Sequence, residues 1–486
     1  MALSTFRKEL LDIYKCVVSS VEPDRLIEKA LSFKDENMII IEPDDTRTSI
    51  NLRGKSLHII GGGKSTLSMA CGSASIAVRD HVAHLFSHGC LSLPVDQRSS
   101  FEKNKIEDIL AKVKVKCLFG SKNNLPDDDS VAASRSILAE ISKACDAAEV
   151  SGKQPVFILL LSGGGSACLT SPKLLSLQEK LKLIKHLAQR GADIVELNRV
   201  RRCFSDIKGG RLAAHILRKC PTAQIVTLIL SDIVGDPVDL IASGPTCIQD
   251  EQDISNQNSM LSAILKKYNY PDSQELVERR GNVNEELSKI ITRHNLQSVI
   301  YNKVIGSNSI ALTAGINKAK SYGYNVISMG NKIQGHTDEV IRHMLNLATG
   351  TSVVPGKTLI IGAGEATVNK KPDEQWGLGG RTQEMALDYL ITMMNSSDDT
   401  EESVDLFIAA STDGQDGPTD VAACMASFSE IQTNKQKPFL VEDLISAKRE
   451  HDSYNFWQAQ KPEWLLRTGL TGTNVMDIYM LAKAKR

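Results

Sequence analysis

Short apolar runs rich in β-branched residues recur along the chain, each followed by a glycine or aspartate turn and then a helical pattern. Ser56–Ile60 leads into Gly61-Gly62-Gly63-Lys64 and a helix read over Ser65–Val78. Pro155–Leu161 leads into Ser162-Gly163-Gly164-Gly165-Ser166, and Gln224–Leu230 into Ser231-Asp232. Thr358–Ile361 precedes Gly362-Ala363-Gly364-Glu365, and Asp405–Ala410 precedes Ser411-Thr412-Asp413-Gly414. Uninterrupted apolar strands alternating with helices predict parallel-sheet α/β layers buried on both faces. In such sheets ligands bind at the carboxyl ends of strands, where these turns lie.

The stretch Asp250–Asn295 is polar and helical in pattern, and a new strand–helix unit starts near Val304-Ile305-Gly306. Two α/β domains with mostly parallel sheets are therefore predicted, 1–295 and 296–486, the last segment being read as a helix packing back on the first domain. Residues 1–21 mix Glu9 and Asp12 with Arg7, Lys8 and Lys15. That suits an amphipathic helix better than a transit peptide, which is poor in acids. Glu374–Leu378 and Asn395–Ser403 read as surface loops.

Composition narrows the class. With 486 residues, 57 basic against 58 acidic and 42% hydrophobic, the chain is neither disordered nor a bulk-charge binder of nucleic acid or membrane. Its longest apolar runs are strand-length, far short of a membrane span. Ten scattered cysteines, with no C-x-x-C, make neither a disulfide framework nor a zinc spacing, so a reducing compartment is expected: cytoplasmic, with the mitochondrion as alternative. Cys168 and Cys424 read as small core residues.

The glycine turns carry the candidate chemistry. Position 58 is His58, so Gly63-Lys64-Ser65 is no Walker A loop, and neither G-x-G-x-x-G nor G-x-S-x-G occurs. Successive glycines after a strand still let backbone N–H groups approach an anion, or simply make a tight turn. Lys64 and Arg381 each open a helix, where a cation opposes the macrodipole, which favours an anion-binding role. Asp232 and Asp236 stand four apart after a strand: Mg²⁺ ligand, base for a hydroxyl, or turn cap, the last suiting Asp236 before Pro237. Asp413, Asp416 and Asp420 form a cation- or hydroxyl-binding loop without EF-hand spacing. His81, His84 and His88 fall at helical spacing and read as surface packing rather than a metal face.

In order, these motifs resemble the glycerate 2-kinase family, whose C-terminal part is the MOFRL domain. The resemblance runs through Gly61–Lys64, Asn124-Leu125-Pro126-Asp127, Leu161–Ala167, Glu196–Arg201, Ile207–Ala213, Leu230–Pro237 and Ile241–Thr246. It continues through Gly379–Leu387, Ser411–Asp420 and Gly472–Asp477, and the Asn-Leu-Pro-Asp segment looks like animal members. It implies a Rossmann-like larger N-terminal domain, a smaller MOFRL domain and an active site in the interdomain cleft. It also implies transfer of the γ-phosphoryl of ATP to the 2-hydroxyl of D-glycerate with Mg²⁺, by a monomer or homodimer. Lys64 and Arg381 fall on the catalytic lysine and arginine, and Asp232 and Asp236 on the carboxylate motif. On that basis Lys64 and Arg381 neutralise the transferring phosphoryl group, and Asp232 is base or, with Asp236, Mg²⁺ ligand. Ser162, Gly163, Gly164, Gly165, Ser166, Asp236, Glu365, Asp413 and Asp416 would bind cofactor, and Arg202, Lys208 and Asn198 the glycerate. Two departures are Ser65-Thr66, where members carry small alanines, and Gly469-Leu470-Thr471, which lacks a proline. The competing readings are an NAD(P)H-dependent hydroxypyruvate reductase and a non-catalytic binding protein. Regiochemistry, 2- or 3-phosphorylation, is left open.

Overall fold

The computed structural model describes residues 2–103, 106–122, 124–248, 251–280, 296–350, 356–368, 376–396, 403–433 and 439–485. It divides into an N-terminal unit (23–231 and 236–305) and a C-terminal unit (1–22, 232–235 and 306–486). The seam thus falls at 305/306 rather than 295/296, and the first helix belongs with the C-terminal unit. Residues 281–295, 374–375 and 397–402, part of the helical stretch and of the two loops read from sequence, lie outside the described residues.

The N-terminal unit opens with a small antiparallel sheet: β1 (Leu31–Lys34), β2 (Asn37–Ile41) and β3 (Arg47–Asn51). Its main sheet comprises β4 (Lys55–Gly62), β5 (Gly89–Leu93), β6 (Val115–Phe119), β7 (Gln154–Leu161), β8 (Gln224–Leu230) and β9 (Ile300–Gly306). The order is β6-β5-β4-β7-β8-β9, and β6 through β8 pair in parallel. Residues Pro155–Leu161 of β7 are all buried, which is why the run shows no polar alternation. Strand order reverses between β4 and β7, so their carboxyl ends flank a topological switch point, the place where open α/β sheets bind ligands. The helix Asp128–Ser151 starts at an Asp127–Ser130 capping box and stops at left-handed Gly152.

The C-terminal unit's sheet contains β10 (Asn325–Ile333), β11 (Lys357–Gly364), β12 (Ser403–Ser411), β13 (Ala423–Ala426), β14 (Leu465–Leu466) and β15 (Asp477–Lys485). Its order is β10-β11-β15-β12-β13-β14. Only β10–β11 is parallel; β15 runs antiparallel to both β11 and β12. The expectation of a mostly parallel second sheet, and of a final helix, is corrected by this one strand. Its Met, Leu, Ala and Lys residues favour helix intrinsically, but Ile478–Ala482 is fully enclosed between two strands, and tertiary context overrides propensity. The helix Ala2–Ser20 packs against the helix Asn308–Ser321 and against β12, burying Phe6, Leu10, Ile13 and Val17. Tyr14 donates to Ser411 O at 2.8 Å, and Glu9 accepts from Tyr324 at 2.7 Å. No described helix is long and apolar enough to cross a membrane.

Candidate functional site

The two glycine turns of the N-terminal unit are knitted together by backbone. Lys64 N donates to Gly163 O at 2.8 Å. Ser162 Oγ accepts from Ser65 N at 2.9 Å and lies 3.4 Å from Thr66 Oγ1. Ser162 therefore caps the start of the helix Thr66–Arg79 from the neighbouring strand and is partly spent on structure. Gly63 has φ +140°, and a Cβ there would meet Ser162 Oγ at 2.5 Å and Ser162 O at 2.7 Å; only glycine fits this approach. A Cβ at Gly164 would lie 3.2 Å from Lys64 Cγ and 3.4 Å from Asn124 Oδ1. Lys64 thus leans over the Gly163–Gly165 turn, and its ammonium makes no hydrogen bond or ion pair among the described residues. Asn124, quoted in sequence only as a motif residue, comes to the same turn.

Three expected substrate residues are placed differently. Lys208 is 1% exposed, and its Nζ donates to Ser166 O at 2.7 Å and Leu169 O at 2.9 Å. Burial pushes its pKa well below the ordinary lysine value, with Lys180 and Arg201 adding repulsion. It braces the glycine loop from beneath, two of its three N–H donors being taken by these carbonyls. Arg202 is paired with Asp239 at 3.0 Å. Asn198, 4% exposed, accepts from Arg201 Nη1 at 3.0 Å and sits 3.5 Å from Ser243 Oγ. Ser243 Oγ in turn lies 2.9 Å from Ser166 Oγ, so Asn198 remains beside the loop, while Lys208 is turned to two backbone carbonyls and Arg202 to Asp239, its buried Nε having no partner. Asp236, at φ +55°, carries a buried Oδ1 with no hydrogen-bond partner. Asp232 is half-buried just past β8 and groups with the C-terminal unit.

In the C-terminal unit Arg381 opens the helix Arg381–Asn395. Its Nε and Nη2 grip both oxygens of Asp477, the second at 3.1 Å, and Nη1 donates to Glu365 Oε1 at 2.7 Å. Arg381 and Glu365 are therefore brought together. Asp477, fully buried at the start of β15, is the partner that sequence reading missed; its signal was its place at the end of the Gly472–Asp477 motif. Asp416 accepts four hydrogen bonds, from Thr382 N, Thr382 Oγ1, Gln383 N and Gln383 Nε2. This caps the helix that Gly380 cannot cap, and it withdraws Asp416 from the expected cofactor ligands. Asp413 Oδ1 accepts from Ser411 Oγ at 2.8 Å and Gln415 N at 2.9 Å, an Asx turn at the carboxyl end of β12. The helix Thr66–Arg79 ends before His81, so His81, His84 and His88 share no helix face. No group of three metal-ligating side chains occurs among the described residues. All ten cysteines are free, Cys168 and Cys424 in the core.

Comparison with known proteins identifies the family. Residues 9–280 match the family model described as "Domain of unknown function (DUF4147)", and 358–477 match the MOFRL family. The glycerate kinase of Mus musculus is 31% identical, over 99% of this chain and 93% of its own length. The chain belongs to the glycerate kinase family. Another relative, the glycerate 2-kinase of Pyrococcus horikoshii, is 28% identical over 95% of this chain and 93% of its own. The solved glycerate kinase of Thermotoga maritima shares the fold at TM-score 0.72, with 24% identity, covering 99% of this chain and all of that one. Membership gives the switch-point turns, Lys64 and the Arg381–Asp477 pair a shared context, that of the glycerate kinase family.

Proposed function

We propose that this protein is an ATP-dependent glycerate kinase, phosphorylating D-glycerate at its 2-hydroxyl. The observation that carries the reading is Lys64: an ammonium with no protein partner among the described residues, held over a glycine turn at the switch point of a parallel sheet. Phosphoryl transfer asks for positioning and charge neutralisation more than covalent chemistry, and this is a place prepared for mobile negative charge. Arg381, in the C-terminal unit, is a cation oriented by Asp477. With Glu365 included, that group carries one positive and two negative charges, so Glu365, the more exposed partner at 44% against 0% for Asp477, is the arm that yields to a phosphoryl oxygen.

The residues fit a magnesium nucleotide. The unpartnered buried oxygen of Asp236 is the hard carboxylate donor Mg²⁺ takes. Gly163–Gly165 and Ser166 would hold phosphate oxygens. When bound, Mg²⁺ neutralises phosphate charge; Lys64 orients the phosphoryl group, and Asp232 accepts the proton of the attacking hydroxyl.

The test is ³¹P NMR of full-length protein with ATP, Mg²⁺ and D-glycerate, in parallel with NADH and hydroxypyruvate followed at 340 nm. The expected result is a 2-phosphoglycerate resonance, no NADH oxidation, and a loss of kcat on the order of 10²–10³ in Lys64→Met. Retained kcat in that variant, or NADH consumption without phosphoryl transfer, would overturn the reading.

A further inference from the structure

The described residues include two buried lysines, and they are in opposite situations. Lys208 donates to two backbone carbonyls. Lys180 is 5% exposed, yet its Nζ has no hydrogen-bond partner. It lies on the helix Leu177–Gln189, which packs on the helix Ile194–Cys203 through Leu183, Leu187, Leu197 and Val200. Arg201, half-buried on the second helix, gives one N–H to Asn198. Its remaining donors, of the five a guanidinium carries, meet no acceptor among the described residues.

No described carboxylate pairs with either cation. Burial, followed by repulsion from Arg201, pushes Lys180 down to about 8. Keeping such a group costs stability: an apolar side chain would pack there without desolvating a charge. The position adjoins the candidate phosphate turn. From Arg201, contacts pass to Asn198, to Ser243 Oγ at 3.5 Å and on to Ser166 Oγ at 2.9 Å, the last residue of the glycine loop. Asn198 and Ser243 are hydroxyl-recognising groups lying between the loop and the cations.

We propose that Lys180 and Arg201 form the receptor for the carboxylate of a small 2-hydroxy acid, with Asn198 and Ser243 placed for its hydroxyls. The inference rests on the glycerate kinase reading and replaces Lys208 and Arg202 as the carboxylate partners. A carboxylate here would complete the hydrogen bonds of Lys180 and offset the repulsion between the two cations. Because the anion could instead be a nucleotide phosphate, the two sources must be separated kinetically.

Steady-state kinetics of the full chain, varying D-glycerate and ATP independently, make that separation. Lys180→Met, apolar and of similar length, keeps the packing. It should raise KM for D-glycerate roughly 10–100-fold, the range for losing a hydrogen bond to a charged group, with KM for ATP within about twofold. Lys180→Arg should recover part of the loss, and Arg201→Gln should shift the same KM. Unchanged KM for D-glycerate in Lys180→Met and Arg201→Gln, or a rise confined to KM for ATP, overturns the assignment while leaving the kinase reading intact. A wild-type protein that does not phosphorylate glycerate refutes both.

Discussion

Asp416 offers the most quantitative test of how the Arg381 helix is held. Gly380 precedes that helix and has no side chain to cap it; a Cβ there would stand 2.3 Å from the Asp416 carboxylate. The cap is instead delivered across the fold, with Thr382 N at 3.2 Å, Gln383 N at 3.0 Å, Thr382 Oγ1 at 2.7 Å and Gln383 Nε2 at 2.9 Å. In Asp416→Ala the hydroxyl can turn elsewhere, and Gln383 Nε2 keeps Thr419 Oγ1 at 3.2 Å. The two backbone N–H groups have no such relief. At about 1–3 kcal/mol for each buried donor left unsatisfied, and with the desolvated charge removed as partial compensation, the net loss should be about 3 kcal/mol. For a unit of this size that lowers Tm by roughly 6–12 °C.

Asp416→Asn separates geometry from charge. Thr382 N and Gln383 N bond different carboxylate oxygens, so the single amide oxygen of asparagine keeps only one of these two backbone N–H groups. With that oxygen at the Oδ2 position it keeps Gln383 N, Thr382 Oγ1 and Gln383 Nε2, and its NH₂ faces the donor Thr382 N. We expect Asp416→Asn to lose about 1–2 kcal/mol, less than alanine, because one backbone N–H rather than two is left without an acceptor. Burial raises the Asp416 carboxyl above its ordinary 3.8, outweighing the hydrogen bonds from Thr382 and Gln383 that lower it. A raised carboxyl favours folding while protonated, and that contribution is lost as pH climbs from 3.8 through the folded value. The asparagine should therefore compare better with wild type at pH 7 than at pH 4. Thermal unfolding by circular dichroism reads all three proteins. Equal destabilisation by Ala and Asn would refute the capping argument and make the charge itself the stabilising feature.

Three further expectations concern stability. Gly63→Ala forces a left-handed residue and a 2.5 Å approach to Ser162 Oγ, so it should cost more than about 1 kcal/mol and reduce kcat by displacing Lys64; wild-type stability and turnover would contradict it. Lys208 has a depressed folded pKa, so its contribution is full above 10.5 and is lost as pH falls through the folded value; the urea midpoint of wild type relative to Lys208→Met should grow from pH 7 to 10. Glu140 is raised by desolvation but drawn down more strongly by Lys116 at 2.7 Å and Lys143 at 2.9 Å, to about 2. Its contribution is present above 4.5 and lost as pH falls towards 2, so Glu140→Gln should flatten the acid limb of the stability profile.

Legibility in the sequence followed burial symmetry. β4, β7 and β8 were readable because strands covered on both faces show unbroken apolar runs, and glycine turns mark their ends. β11 and β12 gave the same signal, yet β15 lies between them and runs opposite to both. Apolar runs report burial, not direction. For the candidate site, the closeness of Lys64 to the Ser162–Ser166 turn was legible because successive glycines mark a backbone that only glycine permits. That Lys208 turns to backbone carbonyls and Arg202 to Asp239 was not legible, because a basic residue near a motif looks the same in sequence whether it faces a ligand or braces a loop.

Lys180 was within reach of sequence reasoning. It stands three and seven residues before Leu183 and Leu187, on the apolar stripe of its own helix, and a lysine on such a stripe breaks the rule that builds the helix. Arg280 breaks it too, four residues after Leu276. Structure separates the two cases: Arg280 donates to Gln257 Oε1 at 2.6 Å and, with Asn258, is satisfied by protein, whereas Lys180 meets no protein acceptor. A charge that violates the folding pattern and is then satisfied serves the fold. One that violates it and stays unsatisfied costs stability without a structural return, and the return must come from something the chain binds. That asymmetry, more than the glycine count of either loop, is what directs the substrate's carboxylate to Lys180 and away from Lys208.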